Sequence, residues 1–133
     1  MSKRKRSVLV VDDESSVLFT YKLLLEQQGY EVSAVPSAAL AMNELKTKKF
    51  DLVLCDLSLE ENHNGFEVID FARKQNSGIP CVLLTGYASV EAAQKAADIG
   101  VTVLYKPIDI QEFLTTIPNV LKENYEQSKA TRG

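Results

Sequence analysis

Long apolar runs, paired cysteines and chain-breaking residues are all scarce in these 133 residues, and each scarcity removes a class of protein. No apolar stretch approaches the roughly 20 residues that a membrane-spanning helix needs. The N-terminus holds Lys3, Arg4, Lys5 and Arg6 with no apolar segment behind them, so it does not read as an export signal. Cys55 and Cys81 each lie inside an apolar run and form no CxxC or CxxxH spacing. That excludes a disulfide framework and predicts buried, reduced thiols in a cytoplasmic protein. Six glycines and four prolines are too few for a collagen-like or low-complexity chain. Neither GxGxxG nor GxxxxGKS/T occurs, which disfavours dinucleotide and nucleotide binding.

What is present is ordinary for one folded domain: 45% hydrophobic and 25% charged residues, in a length that can bury a core without disulfides or a structural metal. Fifteen Lys and Arg against eighteen Asp and Glu give a net charge of −3, and setting aside the four basic residues at 3–6 leaves the rest at −7. An acidic body argues against direct nucleic-acid binding, which needs a clustered basic face. Residues 1–7 read as a solvated basic tail.

Along the chain, short β-rich runs alternate with longer stretches of helical period. Val8–Val11, Leu52–Cys55, Cys81–Leu84 and Val101–Tyr105 have the continuous apolar character of strands buried on both faces, and Glu31–Val35 alternates as a more exposed strand does. Between them, Val17, Leu18, Tyr21, Leu24 and Leu25 stripe a first helix ended by Gly29, with Ser15 or Ser16 as candidate cap. Ser37 caps a second that buries Ala38, Ala41 and Leu45. Phe66, Ile69 and Ala72 mark a third, and Val90, Ala93 and Ala97 a fourth closed by Gly100. Ile110, Phe113, Leu114, Ile117 and Leu121 stripe a fifth, which Pro118 is expected to kink or to shorten near Ile117. Five βα repeats predict a three-layer, doubly wound α/β fold whose ligands bind beyond the carboxyl ends of the strands.

At those ends stand Asp12, Asp13 and Glu14 after the first strand, Asp56 after the third, Thr85-Gly86 after the fourth and Lys106-Pro107 after the fifth. Taken singly, each has an unremarkable reading: Asp13 and Glu14 favour a helix N-terminus, Thr85 forms turns, Lys106 is a solvated lysine. Together they describe a pocket. Apposed carboxylates repel unless a cation sits among them, and all-oxygen ligation suits Mg²⁺, which keeps water positions open for phosphate oxygens. A lysine and a hydroxyl opposite would receive a small anion, and Asp56, lying centrally, is the natural nucleophile for phosphoryl transfer.

Asp12-Asp13, Asp56, Thr85-Gly86 and Lys106-Pro107 on this frame closely resemble the receiver domain of two-component response regulators, over roughly residues 7 to 123. The resemblance implies a flavodoxin-like (βα)₅ sheet in the order 2-1-3-4-5, with the receiver at 8–123 and a polar tail or linker start at 124–133. It implies that Asp56 accepts a phosphoryl group from a histidine kinase or histidine phosphotransfer protein. Asp12, Asp13, Asp56 and the backbone carbonyl of Ser58 would hold Mg²⁺. Lys106 would pair with the phosphoryl group, the Lys106–Pro107 bond would be cis, Thr85 would be the switch hydroxyl and Gly86 would keep the approach open. Ser58 and Tyr87 stand where the family tunes hydrolysis. Such a domain is regulatory rather than an enzyme, signals through its fourth helix, fifth strand and fifth helix to an output partner or domain, and in some cases dimerises on phosphorylation.

The chain departs from the family pattern at several positions. Val103 occupies the place of an aromatic three residues before the lysine, and Tyr105 holds the aromatic instead, facing away from the site and suited to packing. Four residues after Asp56 the family has proline where this chain has Glu60, and its glycine comes one residue late, at Gly65. His63, the only histidine, reads as an exposed loop residue. Two other classes compete: a phosphate-independent interaction domain of the same shape, which generally lacks one of these residues, and an aspartate-nucleophile phosphatase, which has Asp-x-Asp after its first strand.

Overall fold

β-branched and aliphatic residues pack best on a pleated surface, and the five runs rich in them form one sheet in the computed structural model, which describes residues 5–60 and 63–132, with side chains as far as residue 122. The strands are β1 (Ser7–Val11), β2 (Glu31–Val35), β3 (Leu52–Asp56), β4 (Cys81–Thr85) and β5 (Thr102–Tyr105). They alternate with α1 (Ser15–Gln27), α2 (Ala38–Thr47), α3 (Gly65–Gln75), α4 (Val90–Asp98) and α5 (Ile110–Arg132). All neighbouring strands pair in parallel, in the expected order β2-β1-β3-β4-β5. The first four residues of the basic tail lie outside the described residues. No described helix is long and apolar enough to cross a membrane.

Side chains of a strand alternate between its faces, and each face meets its own helices. Val8, Val10, Leu52, Leu54, Val82, Leu84 and Leu104 meet Leu18, Tyr21 and Leu25 of α1 and Phe113, Ile117 and Leu121 of α5. Leu9, Val11, Val53, Cys55, Cys81 and Leu83 meet Ala41 and Leu45 of α2, Val68, Ile69 and Ala72 of α3 and Ala96 of α4. Both cysteines are buried and free. The rings of Tyr21 and Phe113 stack 5.3 Å apart, joining α1 to α5.

Helix ends follow local chemistry with one exception. Ser37 Oγ accepts the Leu40 N–H at 3.1 Å, as its sequence position predicts, and Asn64 and Ser89 cap α3 and α4 in the same way. Gly29 and Gly100 take φ of 93° and 70°, left-handed values that glycine adopts without steric cost. The exception is α1: neither Ser15 nor Ser16 caps it, since Glu14 holds the N-cap position without a side-chain bond. Asp12 Oδ1 accepts the Glu14 N–H instead, at 2.9 Å.

The expected shortening of the fifth helix does not occur: α5 runs through Pro118 to Arg132, so residues 124–132 are helical. Proline removes one donor, the one that would reach the Leu114 carbonyl. Phe113 and Ile117 before it and Leu121 after it are buried against the sheet and hold both halves in place.

Candidate functional site

Parallel strands end on the same side of a sheet, so the residues that follow them are brought together however far apart they lie in sequence. Asp12, just past β1, is fully buried, and Asp56, the last residue of the adjacent β3, is 7% exposed. With Asp13 they place one carboxylate oxygen each within 4.8 Å of the others. Lys106 reaches in from beyond β5, its Nζ 3.0 Å from Asp12 Oδ2 and 3.1 Å from Asp56 Oδ2. Its backbone N–H donates to the Thr85 carbonyl at 2.7 Å, extending the β4–β5 pairing to the rim, and the Lys106–Pro107 peptide is cis.

Charge in this cluster is unbalanced toward the acid side. Burial, and then the nearby Asp12 charge, raise the Asp56 carboxyl above its ordinary value, against the bond and charge of Lys106 and the Ser58 N–H. For Lys106, burial pulls downward, but the bonds and charges of Asp12 and Asp56 outweigh it and hold the ammonium well above its usual range. The Tyr21 phenol is pushed up to about 12, chiefly by burial. A cation among Asp12, Asp13 and Asp56 would relieve this repulsion, and their all-oxygen donor set fits a hard divalent ion.

The other candidate residues surround this centre. Ser58 follows Asp56 by two positions, and its N–H donates to Asp56 Oδ1 at 3.4 Å. The Thr85 hydroxyl is buried at the end of β4, where it donates to the Tyr87 carbonyl at 2.6 Å and accepts the Tyr87 N–H at 3.1 Å. A Cβ at Gly86 would meet nothing within 4 Å, so this rim is open. Tyr87 is 79% exposed. Val103 is half-buried against the α3–α4 core. Tyr105, read from sequence as a packing residue, leaves half its surface in solvent because it sits at the sheet's edge strand. His63 is exposed, its Nδ1 2.8 Å from Glu67 Oε2. Beside Lys106 runs a groove of about 560 Å³ lined by Glu14, Val17, Thr20, Tyr21 and Pro107.

Two residues that the sequence marked only as departures from the family pattern have a structural role here. A Cβ on Gly65 would lie 2.6 Å from the Asp56 carbonyl oxygen and 2.6 Å from Leu83 Cδ2, so only glycine lets α3 start against the end of β3. Glu60 reaches across to α2, where its Oε1 accepts the Ala38 N–H at 3.1 Å. The glycine's offset from Asp56 was a signal for the first; nothing local announced the second.

A parallel five-stranded sheet in the order 2-1-3-4-5 with helices on both faces, carrying an acidic cluster and a lysine at its carboxyl edge, defines a doubly wound α/β domain of the flavodoxin-like class. Within it, a family model described as the response regulator receiver domain matches residues 8–118, and the chain belongs to that family. It is 34% identical over 122 residues to the transcriptional regulatory protein ZraR of Klebsiella oxytoca, covering 91% of this chain and 27% of that protein. It is 37% identical over 107 residues to the alginate biosynthesis transcriptional regulatory protein AlgB of Pseudomonas aeruginosa, covering 80% of this chain and 24% of that one. The chain thus spans about a quarter of the length of these relatives. Its structure resembles that of a CheY-like response regulator receiver domain protein from Methanospirillum hungatei, with a TM-score of 0.87, 29% identity, and 93% and 99% of the two chains covered. Receiver domains of this family are regulatory modules of two-component systems.

Proposed function

We propose that this chain is a phosphoacceptor: Asp56 takes a phosphoryl group from a histidine kinase or histidine phosphotransfer protein, and the modified domain signals through α4, β5 and α5. The observation that carries this reading is a buried carboxylate flanked by two others and bridged by a lysine. In the transfer, an Asp56 carboxylate oxygen bonds to phosphorus while the phosphorus–nitrogen bond to the donor's imidazole breaks, and the imidazole nitrogen keeps the electron pair. Asp12, Asp13, Asp56 and the Ser58 backbone carbonyl would hold Mg²⁺, which supplies neutralisation of charge on the phosphoryl oxygens.

Lys106 remains protonated and offers its Nζ to a phosphoryl oxygen, exchanging its bond to Asp56 for one to the new group. Thr85 reaches another oxygen only by giving up the bond to the Tyr87 carbonyl. That release frees the segment from Gly86 to Ser89 that leads into α4, and shifts the population toward a second arrangement of the output face. Gly86 leaves room for the incoming group, and Ser58 and Tyr87 set how fast water removes it. Any catalysis is confined to the chain's own phosphorylation and dephosphorylation. We assign the receiver to residues 8–123, a cytoplasmic setting, output through a partner or linked domain without nucleic-acid contact by the receiver itself, and homodimerisation as one route of output.

Intact-protein mass spectrometry after incubation with acetyl phosphate tests the assignment. A Mg²⁺-dependent gain of one phosphoryl group in the wild type, absent in Asp56→Asn, is expected. No gain together with no Mg²⁺ binding would overturn it in favour of a phosphate-independent interaction domain.

A further inference from the structure

Glu60 is the one described residue with a buried side-chain oxygen that makes no hydrogen bond. Its Oε2 is shielded and unpartnered, while Oε1 accepts the Ala38 N–H at 3.1 Å, across 22 residues of sequence. Burying a half-satisfied carboxylate is unfavourable, and such local violations concentrate where function requires them.

The surrounding loop shows what this bond holds. Leu57 N–H donates to the Leu84 carbonyl at 2.8 Å at the root of the loop, and Gly65 N–H returns to the Leu57 carbonyl at 2.8 Å. Between them Ser58 pairs with Asn64 as an antiparallel bridge, Leu59 N–H meets the His63 carbonyl, and His63 N–H meets the Glu60 carbonyl. Residues 57–60 and 63–65 are therefore paired with each other, the root stitched to β4 and Glu60 tied to α2. No proline stiffens the loop. The N-terminus of α2 suits this anchor, because its first N–H groups lack intrahelical partners and its dipole favours a carboxylate.

We propose that Glu60 is a positioning residue for the cation site, holding the arm that carries Ser58 by fastening its end to α2. This rests on the reading of Ser58 as a ligand through its carbonyl. Ser58 lies midway between Asp56, fixed by the sheet, and Glu60, fixed by α2, so both ends of the ligand-bearing turn are pinned. Releasing one end leaves the three aspartates in place and loosens only the carbonyl. Partners that orient a metal ligand commonly change affinity by 10- to 100-fold when removed.

The test uses the full chain, MgCl₂ titration calorimetry on metal-free protein, and amide hydrogen exchange. Glu60→Ala is expected to weaken Mg²⁺ binding by about 10-fold and to speed exchange at the Ala38 amide without metal. Glu60→Gln, which keeps an acceptor oxygen, is expected to restore both. Ala38→Pro removes the donor at the first helical position, where a proline backbone is tolerated, but Ala38 is buried and the ring must also be accommodated, so this variant is expected to weaken Mg²⁺ binding at least as much as Glu60→Ala. The double variant is expected to be no worse than Ala38→Pro alone, since both changes break one bond. Wild-type affinity in folded Glu60→Ala, equal loss in Glu60→Gln, or full additivity of the two changes would overturn the positioning role alone. Absence of Mg²⁺ binding in the wild type would overturn the reading of Asp12, Asp13, Asp56 and Ser58 as a cation site and this proposal with it, and together with no gain from acetyl phosphate it would overturn the phosphoacceptor reading as well.

Discussion

Two parts of this molecule are made from the same βα unit and differ sharply in how firmly they are held. Every described residue of β3 and β4, and all of β1 after Ser7, is buried. At the other edge, β5 buries only Leu104, α4 buries only Ala96, and Tyr87, Val90, Tyr105 and Ile110 are exposed apolar groups. A strand with neighbours on both sides and helices on both faces opens only with the whole fold, whereas an edge strand under a lightly packed helix opens locally. Asp12 and Asp56 stand on the firm part, and Thr85 stands where it meets the loose one. The carboxylates of Asp12 and Asp56 thus stand at the ends of buried strands, with a lightly packed helix, α4, at the neighbouring edge.

The difference can be broken at its strongest point first. Leu54→Ala removes a fully buried side chain from the middle of β3 and is expected to cost about 2–5 kcal/mol, read from urea unfolding. Gly65→Ala forces a methyl group against the Asp56 carbonyl and Leu83, and a loss of about 1–3 kcal/mol is expected from the same assay. It should also shift the amide resonances of Asp56 and Leu57, because the backbone at the clash must give way.

A subtler probe uses the charge stored in the firm part. Asp56 has a raised pKa in the folded chain, so the folded state holds that proton more tightly than the unfolded state, and its ionisation opposes folding at neutral pH. Metal-free Asp56→Asn is therefore expected to melt at a higher temperature than the wild type at pH 7. Its advantage should shrink as pH falls through the raised folded-state pKa and vanish below 3.8, where the wild-type carboxyl is protonated in both states. An advantage independent of pH would trace the effect to something other than this charge. Smallest of all, Val90→Ala at the exposed start of α4 is expected to change stability by no more than about 0.5 kcal/mol, which thermal unfolding would check.

Much of this was legible in the residues. Strict alternation of β-rich runs and helical stripes has few solutions, and handedness and packing rules reduce them to a doubly wound sheet. Ser37 and Gly29 announced their helix ends because capping is local chemistry. Pro118 misled as to the length of the fifth helix because a missing donor is a local signal, and the burial of Phe113, Ile117 and Leu121, which carries the helix past it, is not. Ser15 and Ser16 failed as caps because the helix begins before them: the Leu18 N–H donates to the Glu14 carbonyl, which places both serines inside the first turn. The contacts of Gly65 and Glu60 were opaque for the same reason: their partners, Asp56 and Leu83 for one and Ala38 for the other, adjoin them only after the sheet has formed.

The sequence by itself determined which residue types stand at the strand ends, and so the kind of chemistry available: three carboxylates, one lysine, one hydroxyl. Only the tertiary structure decided that Lys106, 94 residues from Asp12 and 50 from Asp56, bonds to both. The reason is physical. Propensity and periodicity act over a few residues, while the separation of two strand ends is set by which strands pair, and pairing is settled by burial of the whole sheet at once.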